Sequence, residues 1–209
     1  MKRAGVRLAC RRRGGIRRGR VVRVIGGAFR RSAIYGPGEG DKTIRPTHDR
    51  TRENVFNILA PVIEDAQVLD LFAGCGSIGI EALSRGARRV VFVENSPEGL
   101  KLIRRNVERF GVGARCSVVS ADAGAYLKRL GESEKFDIVY IDPPYGSGLL
   151  EAALEILGSG AALGAGAVVI GEHDSAPGYE TAGRLRLKEA RKYSRRTTIS
   201  IWRLEKEEG

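Results

Sequence analysis

The feature that most limits how this chain can fold is a glycine loop set between an apolar run and a helical pattern, Val68-Leu69-Asp70-Leu71-Phe72-Ala73-Gly74-Cys75-Gly76-Ser77-Ile78-Gly79. A short β-rich run ended by glycines and followed by apolar residues at helical spacing predicts a strand turning directly into a helix. Such a unit cannot bury both faces of its own strand, so it needs neighbours of the same kind. The chain supplies them: further β-rich runs at Arg89 to Glu94, Arg115 to Ser120, Phe136 to Asp142 and Ala165 to Gly171 follow the first, at Gln67 to Leu71. Helical patterns separate them, which predicts a mostly parallel sheet covered on both faces, an α/β Rossmann-like fold. The clearest of these helices has Ser96 as its cap and Pro97 at its first position, with Leu100, Ile103, Val107 and Phe110 recurring on one face.

The two ends of the chain read differently. Arg184 to Tyr193 and Arg195 to Leu204 are β-like runs around a short polar turn, and they predict a closing antiparallel pair. In the second run Thr198, Ser200 and Trp202 alternate with Ile199 and Ile201, as in a strand with two unlike faces. Towards the start, Val21 to Ile25 before Gly26 and Gly27 predicts a short strand and turn. Arg45-Pro46-Thr47 then opens a helix to about Leu59, with Val55, Phe56, Ile58 and Leu59 as its buried face. The expected organisation is a basic, flexible arm over residues 1–20, a small β/α extension over 21–60, and the main sheet over 61–209.

The loop glycines have the spacing G-x-G-x-x-G, and Glu94 follows about 20 residues on, where a dinucleotide fold places the acid that binds a ribose. Both NAD and S-adenosylmethionine carry an adenosine, so Gly74, Gly76 and Glu94 fit either. Asp70 favours the second: a carboxylate beside the loop would repel a pyrophosphate but attract the cationic amino-acid end of S-adenosylmethionine. The alternative role for Asp70 is to hold the loop through backbone N–H groups. Asp122 and Ala123, after the third strand, lie where the adenine of the donor is expected, and Asp122 can also cap the following helix.

At the end of the fourth strand stands Asp142-Pro143-Pro144-Tyr145. An exocyclic amine on a nucleic-acid base is a weak nucleophile because its lone pair is delocalised into the ring. Two acceptors, the Asp142 carboxylate and the Pro143 carbonyl, would each take one N–H and favour the localised lone pair. Tyr145 would stack on a base withdrawn from its helix.

Charge agrees with a polyanionic partner. The chain carries a net +11, yet residues 1–20 hold nine Lys or Arg and no acid, leaving +2 from Val21 onward. A concentrated basic segment binds phosphates with release of counterions. The three cysteines, Cys10, Cys75 and Cys116, are widely spaced, and His48 and His173 stand apart, so no disulfide framework or metal site is expected. The longest apolar stretch, Ala161 to Ile170, is far shorter than the roughly 20 residues needed to cross a bilayer. A cytoplasmic protein with no membrane partner is expected.

Taken in order, Val24-Ile25-Gly26-Gly27-Ala28-Phe29-Arg30, Arg45-Pro46-Thr47 with Asp49-Arg50, Phe56-Asn57-Ile58-Leu59, Val68 to Leu83, and Asp142 to Tyr145 resemble the RsmD family of bacterial enzymes. The resemblance covers residues 21–204. It implies a class I S-adenosylmethionine-dependent methyltransferase acting on N2 of one guanine, position 966, of 16S ribosomal RNA. The substrate it implies is RNA in an assembling or assembled small ribosomal subunit, and a monomer is expected. By the same resemblance the donor site falls on Asp70, Gly74, Gly76, Glu94, Asp122 and Ala123, and the acceptor site on Asp142, Pro143 and Tyr145. Arg45, Arg50 and Arg30 are expected to contact RNA, with Arg52 part of the same basic helix start. Cys75 stands where the family commonly has serine, and Ser77-Ile78 where alanine and leucine are usual. The residues alone leave open an adenine- or cytosine-N methyltransferase acting on DNA or another RNA, and an NAD-dependent oxidoreductase.

Overall fold

In the computed structural model, residues 22–38, 49–131, 134–159, 161–174 and 180–205 are described. The alternation of β-rich and helical segments produces one eight-stranded sheet. In chain order its elements are β3 (Gln67–Leu71), α2 (Ser77–Ser84), β4 (Arg89–Glu94), α3 (Pro97–Phe110), β5 (Cys116–Ser120), α4 (Ala123–Arg129), β6 (Phe136–Ile141), α5 (Leu149–Leu157), β7 (Leu163–His173), β8 (Thr181–Ala182), β9 (Leu185–Ser194) and β10 (Thr197–Leu204). Ahead of these come β1 (Val22–Arg23), β2 (Ala33–Ile34) and α1 (Asp49–Leu59). The strand order is β5-β4-β3-β6-β7-β10-β9-β8. The first five run parallel, and β10, β9 and β8 join antiparallel to their neighbours. The chain therefore reverses outward from β3, first towards β5 and then towards β7, which puts a crevice at the carboxyl ends of β3 and β6.

Successive residues of the central strands feed two separate cores. Val68, Val90, Phe92, Ile138, Tyr140 and Ile170 pack with α1, α2 and α3, while Leu69, Leu71, Val91, Val139, Ile141 and Val169 pack with α4 and α5. Ser96 caps α3 by accepting from the Gly99 N–H at 3.1 Å, with Pro97 in the first turn, as the sequence predicts. Several boundaries differ. Arg115 closes a 3-10 turn, so β5 starts at Cys116; β6 ends at Ile141; and β7 extends from Leu163 to His173. Strand β10 departs from the expected pattern of two unlike faces, for Ser200 and Trp202 are as buried as Ile199. Its place between β7 and β9 is the reason: helix α5 packs on the face that carries Trp202, and of the strand's residues only Arg203 is exposed.

The segment opening at Arg45-Pro46-Thr47 lies outside the described residues, and the helix is seen from Asp49 to Leu59. Val55, Phe56 and Leu59 are buried as expected, but Ile58 is only half-buried and Thr51 and Arg52 are buried instead. Strands β1 and β2 form a small antiparallel ribbon, with Val22 opposite Ile34, that docks on α2 through the buried Glu81. The Glu81 carboxylate accepts the Ile25 and Gly26 N–H groups at 2.7 and 2.8 Å and pairs with the Arg85 Nε at 2.7 Å. Arg52 completes this junction, 3.8 Å from Glu81 and 3.0 Å from Asp49, and it donates to the Arg23 carbonyl. Arg52 is fully buried, so it cannot hold RNA phosphates; it ties the N-terminal ribbon to the sheet's helices.

Candidate active site

The glycine loop is built by its backbone. Gly76 takes φ +77°, a left-handed conformation that glycine adopts without a Cβ penalty, and it starts α2. Gly79 serves packing: a Cβ there would lie 2.1 Å from the Phe92 ring, so only glycine lets α2 approach β4 this closely. Two acids then hold the loop by its N–H groups. Asp70, buried under the loop, accepts from the Gly79 N–H at 3.0 Å. Glu94 accepts from the Gly74 N–H at 2.7 Å and from its own following turn, Asn95 and Ser96, at 3.0 and 2.8 Å. Burial, aided by the nearby Glu94 charge and opposed by the Gly79 bond, raises the Asp70 pKa to about 7. Asn106 of α3, also buried, fastens the loop from behind, donating to the Cys75 carbonyl at 2.9 Å and to the Tyr35 carbonyl at 3.0 Å.

This arrangement bears on which cofactor fits. A pyrophosphate needs the loop's N–H groups for itself. Here Gly74 and Gly79 donate to carboxylates, and Gly76 donates to the Ala73 carbonyl at 2.7 Å. Two carboxylates at the loop suit a donor that brings positive charge. Asp122 is exposed at the start of α4, where it caps the helix through the Ala125 N–H at 2.9 Å, and Ala123 is buried beside it. Asp70, Gly74, Gly76 and Glu94 thus form one contiguous loop site. Asp122 and Ala123 follow β5, which pairs with β4 so that Ser120 lies opposite Glu94.

Asp142-Pro143-Pro144-Tyr145 leaves β6 at the same edge of the sheet, beside β3. Pro143 is buried and Asp142 half-buried, so the corner is stiff but open. The Tyr145 hydroxyl donates to the Glu172 carboxylate at 2.9 Å and lies 3.4 Å from the Thr197 hydroxyl. Glu172 is itself buried, and its other oxygen accepts from the Tyr140 hydroxyl at 3.1 Å. Burial, together with Glu172 and Asp142 and against the Thr197 bond, lifts Tyr145 to about 12, so it stays a hydrogen-bond donor at neutral pH. A cleft opens here, lined by Pro143, Tyr145, Ser147, Glu172, His173 and Asp174 among others.

Sequence reasoning missed Glu172, Thr197 and Asn106. None belongs to a local motif; each reaches the site from a segment 27 to 52 residues away from Tyr145, or 31 from Cys75. The RNA candidates are scattered. Arg45 lies outside the described residues, and Arg50 is exposed in the first turn of α1. Arg30 is exposed too, but the Phe29 N–H donates at 2.9 Å to Ser84, the last residue of α2. Arg30 therefore lies by the C-terminal end of α2, about 12 Å along the helix axis from the glycine loop that starts it. Among the described residues no cluster of metal ligands occurs, and no helix is long and apolar enough to cross a membrane.

Residues 22–202 match the family described as conserved hypothetical protein 95. The chain is 40% identical over 136 residues to the ribosomal RNA small subunit methyltransferase D of Escherichia coli strain K12, a match spanning 65% of this chain and 66% of that protein. The protein of the same name from Haemophilus influenzae is 35% identical over 137 residues, 65% of this chain and 70% of that one. A solved structure from Escherichia coli, provisionally described as a methyltransferase, superposes with a TM-score of 0.77 at 33% identity, covering 88% of this chain and 98% of that chain. The fold is that of the class I methyltransferases.

Proposed function

Because the chain belongs to the family described as conserved hypothetical protein 95, the RsmD family, we propose that it transfers a methyl group from S-adenosylmethionine to the exocyclic N2 of a guanine, position 966, in 16S ribosomal RNA of the small subunit. The observation that carries this reading is the adjacency, on neighbouring strands β3 and β6, of an acid-lined glycine loop and a rigid Asp-Pro-Pro-Tyr corner.

S-adenosylmethionine, when bound, supplies an electrophilic methyl group on a positively charged sulfur. Glu94 is suited to receive the ribose hydroxyls, Asp122 and Ala123 to flank the adenine, and the loop at Gly74 and Gly76 to give the amino-acid end a close approach to the backbone. Asp70 holds the loop from below through Gly79 and adds negative charge under it. On the acceptor side, the Asp142 carboxylate and the Pro143 carbonyl accept the two amine hydrogens, which concentrates the lone pair on nitrogen. Tyr145 offers its ring to the base while its hydroxyl is tethered to Glu172. Arg50, with Arg45, is assigned to phosphates flanking the target. The enzyme acts as a monomer on the subunit, in the cytoplasm.

Incubating the protein with tritiated S-adenosylmethionine and small subunits that lack the modification, then mapping the labelled nucleotide, tests the proposal. Label on N2 of one guanine supports it. Label on adenine or cytosine would replace the substrate but keep the chemistry, and no transfer to any RNA would overturn both.

A further inference from the structure

A second concentration of positive charge, apart from the N-terminal arm, stands at the rim of the acceptor cleft. Residues 184–196 carry seven Lys or Arg and one acid, a net +6, whereas everything from Val21 onward carries only +2. The rest of the sequence from Val21 onward therefore sums to −4, and the β9–β10 hairpin is its densest run of positive charge. Strands β9 and β10 close on each other through Ser194 opposite Thr197, which leaves Arg195 and Arg196 as the turn. Thr197, the next residue, lies 3.4 Å from the Tyr145 hydroxyl, and Thr198 pairs with His173, which lines the cleft. The turn is thus fixed to the corner that would hold the target base.

Exposed cations are ordinarily solvated or paired with acids. At the far end of the hairpin Arg186 pairs with Glu205 at 3.1 Å, and nearer the turn Arg191 pairs with Glu189. Lys192, Arg195 and Arg196, all exposed, form no ion pair with another described residue. Cations left unpaired at the cleft end fit a ligand that brings its own negative charge.

We propose that Lys192, Arg195 and Arg196 bind the phosphodiester backbone next to the methylated base, so that the β9–β10 turn is the RNA-docking element of the fold. This rests on the reading of the site as an RNA base methyltransferase. Phosphate contacts carry no sequence information but fix register, and register is what a site reading a single base requires.

The test is the salt dependence of binding to unmodified small subunits by the full chain and by Arg195→Gln/Arg196→Gln. Each lost phosphate contact reduces the slope of log affinity against log salt by about 0.7 to 0.9. The double variant should therefore lose about 1.4 to 1.8 from the slope and about 25- to 60-fold in affinity near 0.1 M salt. Its melting temperature and its affinity for S-adenosylmethionine should match the wild type. Lys128→Gln/Arg129→Gln, removing two exposed charges from the last turn of α4, should leave the slope unchanged. An unchanged slope for the hairpin variant, or an equal change for the α4 variant, would overturn the proposal while wild-type methyl transfer leaves the enzymatic reading intact. If the wild type binds and methylates no RNA, both fall.

Discussion

The two halves of the site are held in different ways. On the donor side the acids and amide that hold the loop bond to backbone atoms: Asp70 and Glu94 accept backbone N–H groups, and Asn106 donates to backbone carbonyls. On the acceptor side a side chain is held by side chains, with Tyr145 bonded to Glu172 and Thr197, and Glu172 shared with Tyr140. The first half is a conformation of one segment and resists change as a unit. The second is a convergence of β6, β7 and β10, and it should be adjustable one side chain at a time.

The contrast is sharpened most by Asp142→Ala. Removing one of two acceptors aimed at the amine should lower kcat by about 100- to 1000-fold, while calorimetry of S-adenosylmethionine binding shows no change. A comparable loss of donor affinity would mean that the halves are not separate. Next comes Gly79→Ala, whose Cβ would meet the Phe92 ring at 2.1 Å. Overpacking of this kind costs about 1 to 3 kcal/mol, to be read in urea unfolding. A neutral result would show that α2 can shift and that the donor half is less rigid than its geometry implies.

A smaller effect is expected of the tyrosine tether. Glu172→Ala and Tyr145→Phe should each lower kcat about five- to tenfold, and the double variant should be no worse than the more impaired single one, because both remove the Tyr145–Glu172 bond. Strictly additive losses would place Glu172 in a separate role. The smallest effect concerns pH. Because burial raises Asp70 to about 7, its contribution to stability is full below the ordinary value of 3.8 and is lost as pH rises through about 7. A cation bound over the loop draws that pKa back down. The affinity for S-adenosylmethionine should therefore rise a few fold between about pH 6 and pH 8, more than for S-adenosylhomocysteine, whose sulfur is neutral. Asp70→Asn should remove the difference between the two ligands.

The same contrast explains what could be read from the sequence. The strand, the glycines, Glu94 and Asp-Pro-Pro-Tyr are local patterns, and the parallel sheet follows from their alternation. Residues whose meaning depends on distant partners were not legible. Arg52 looks like one more cation at a helix start, and only the packing of α1 on α2 shows that it is buried against Glu81. Glu172 ends an apolar run with nothing nearby to mark it, since its partners are Tyr140, 32 residues earlier, and Tyr145, 27 earlier. The burial of Ser200 and Trp202 on β10 depends on strand order, which no window along the chain reveals.

Methyl transfer requires the donor's sulfur and the target amine to meet between β3 and β6, and a crystal soaked with S-adenosylmethionine measures this directly. It should show the ribose on Glu94 and the methyl group directed at the Asp142 carboxylate and the Pro143 carbonyl. A donor seated elsewhere, or one with its methyl group turned away from that corner, would contradict it.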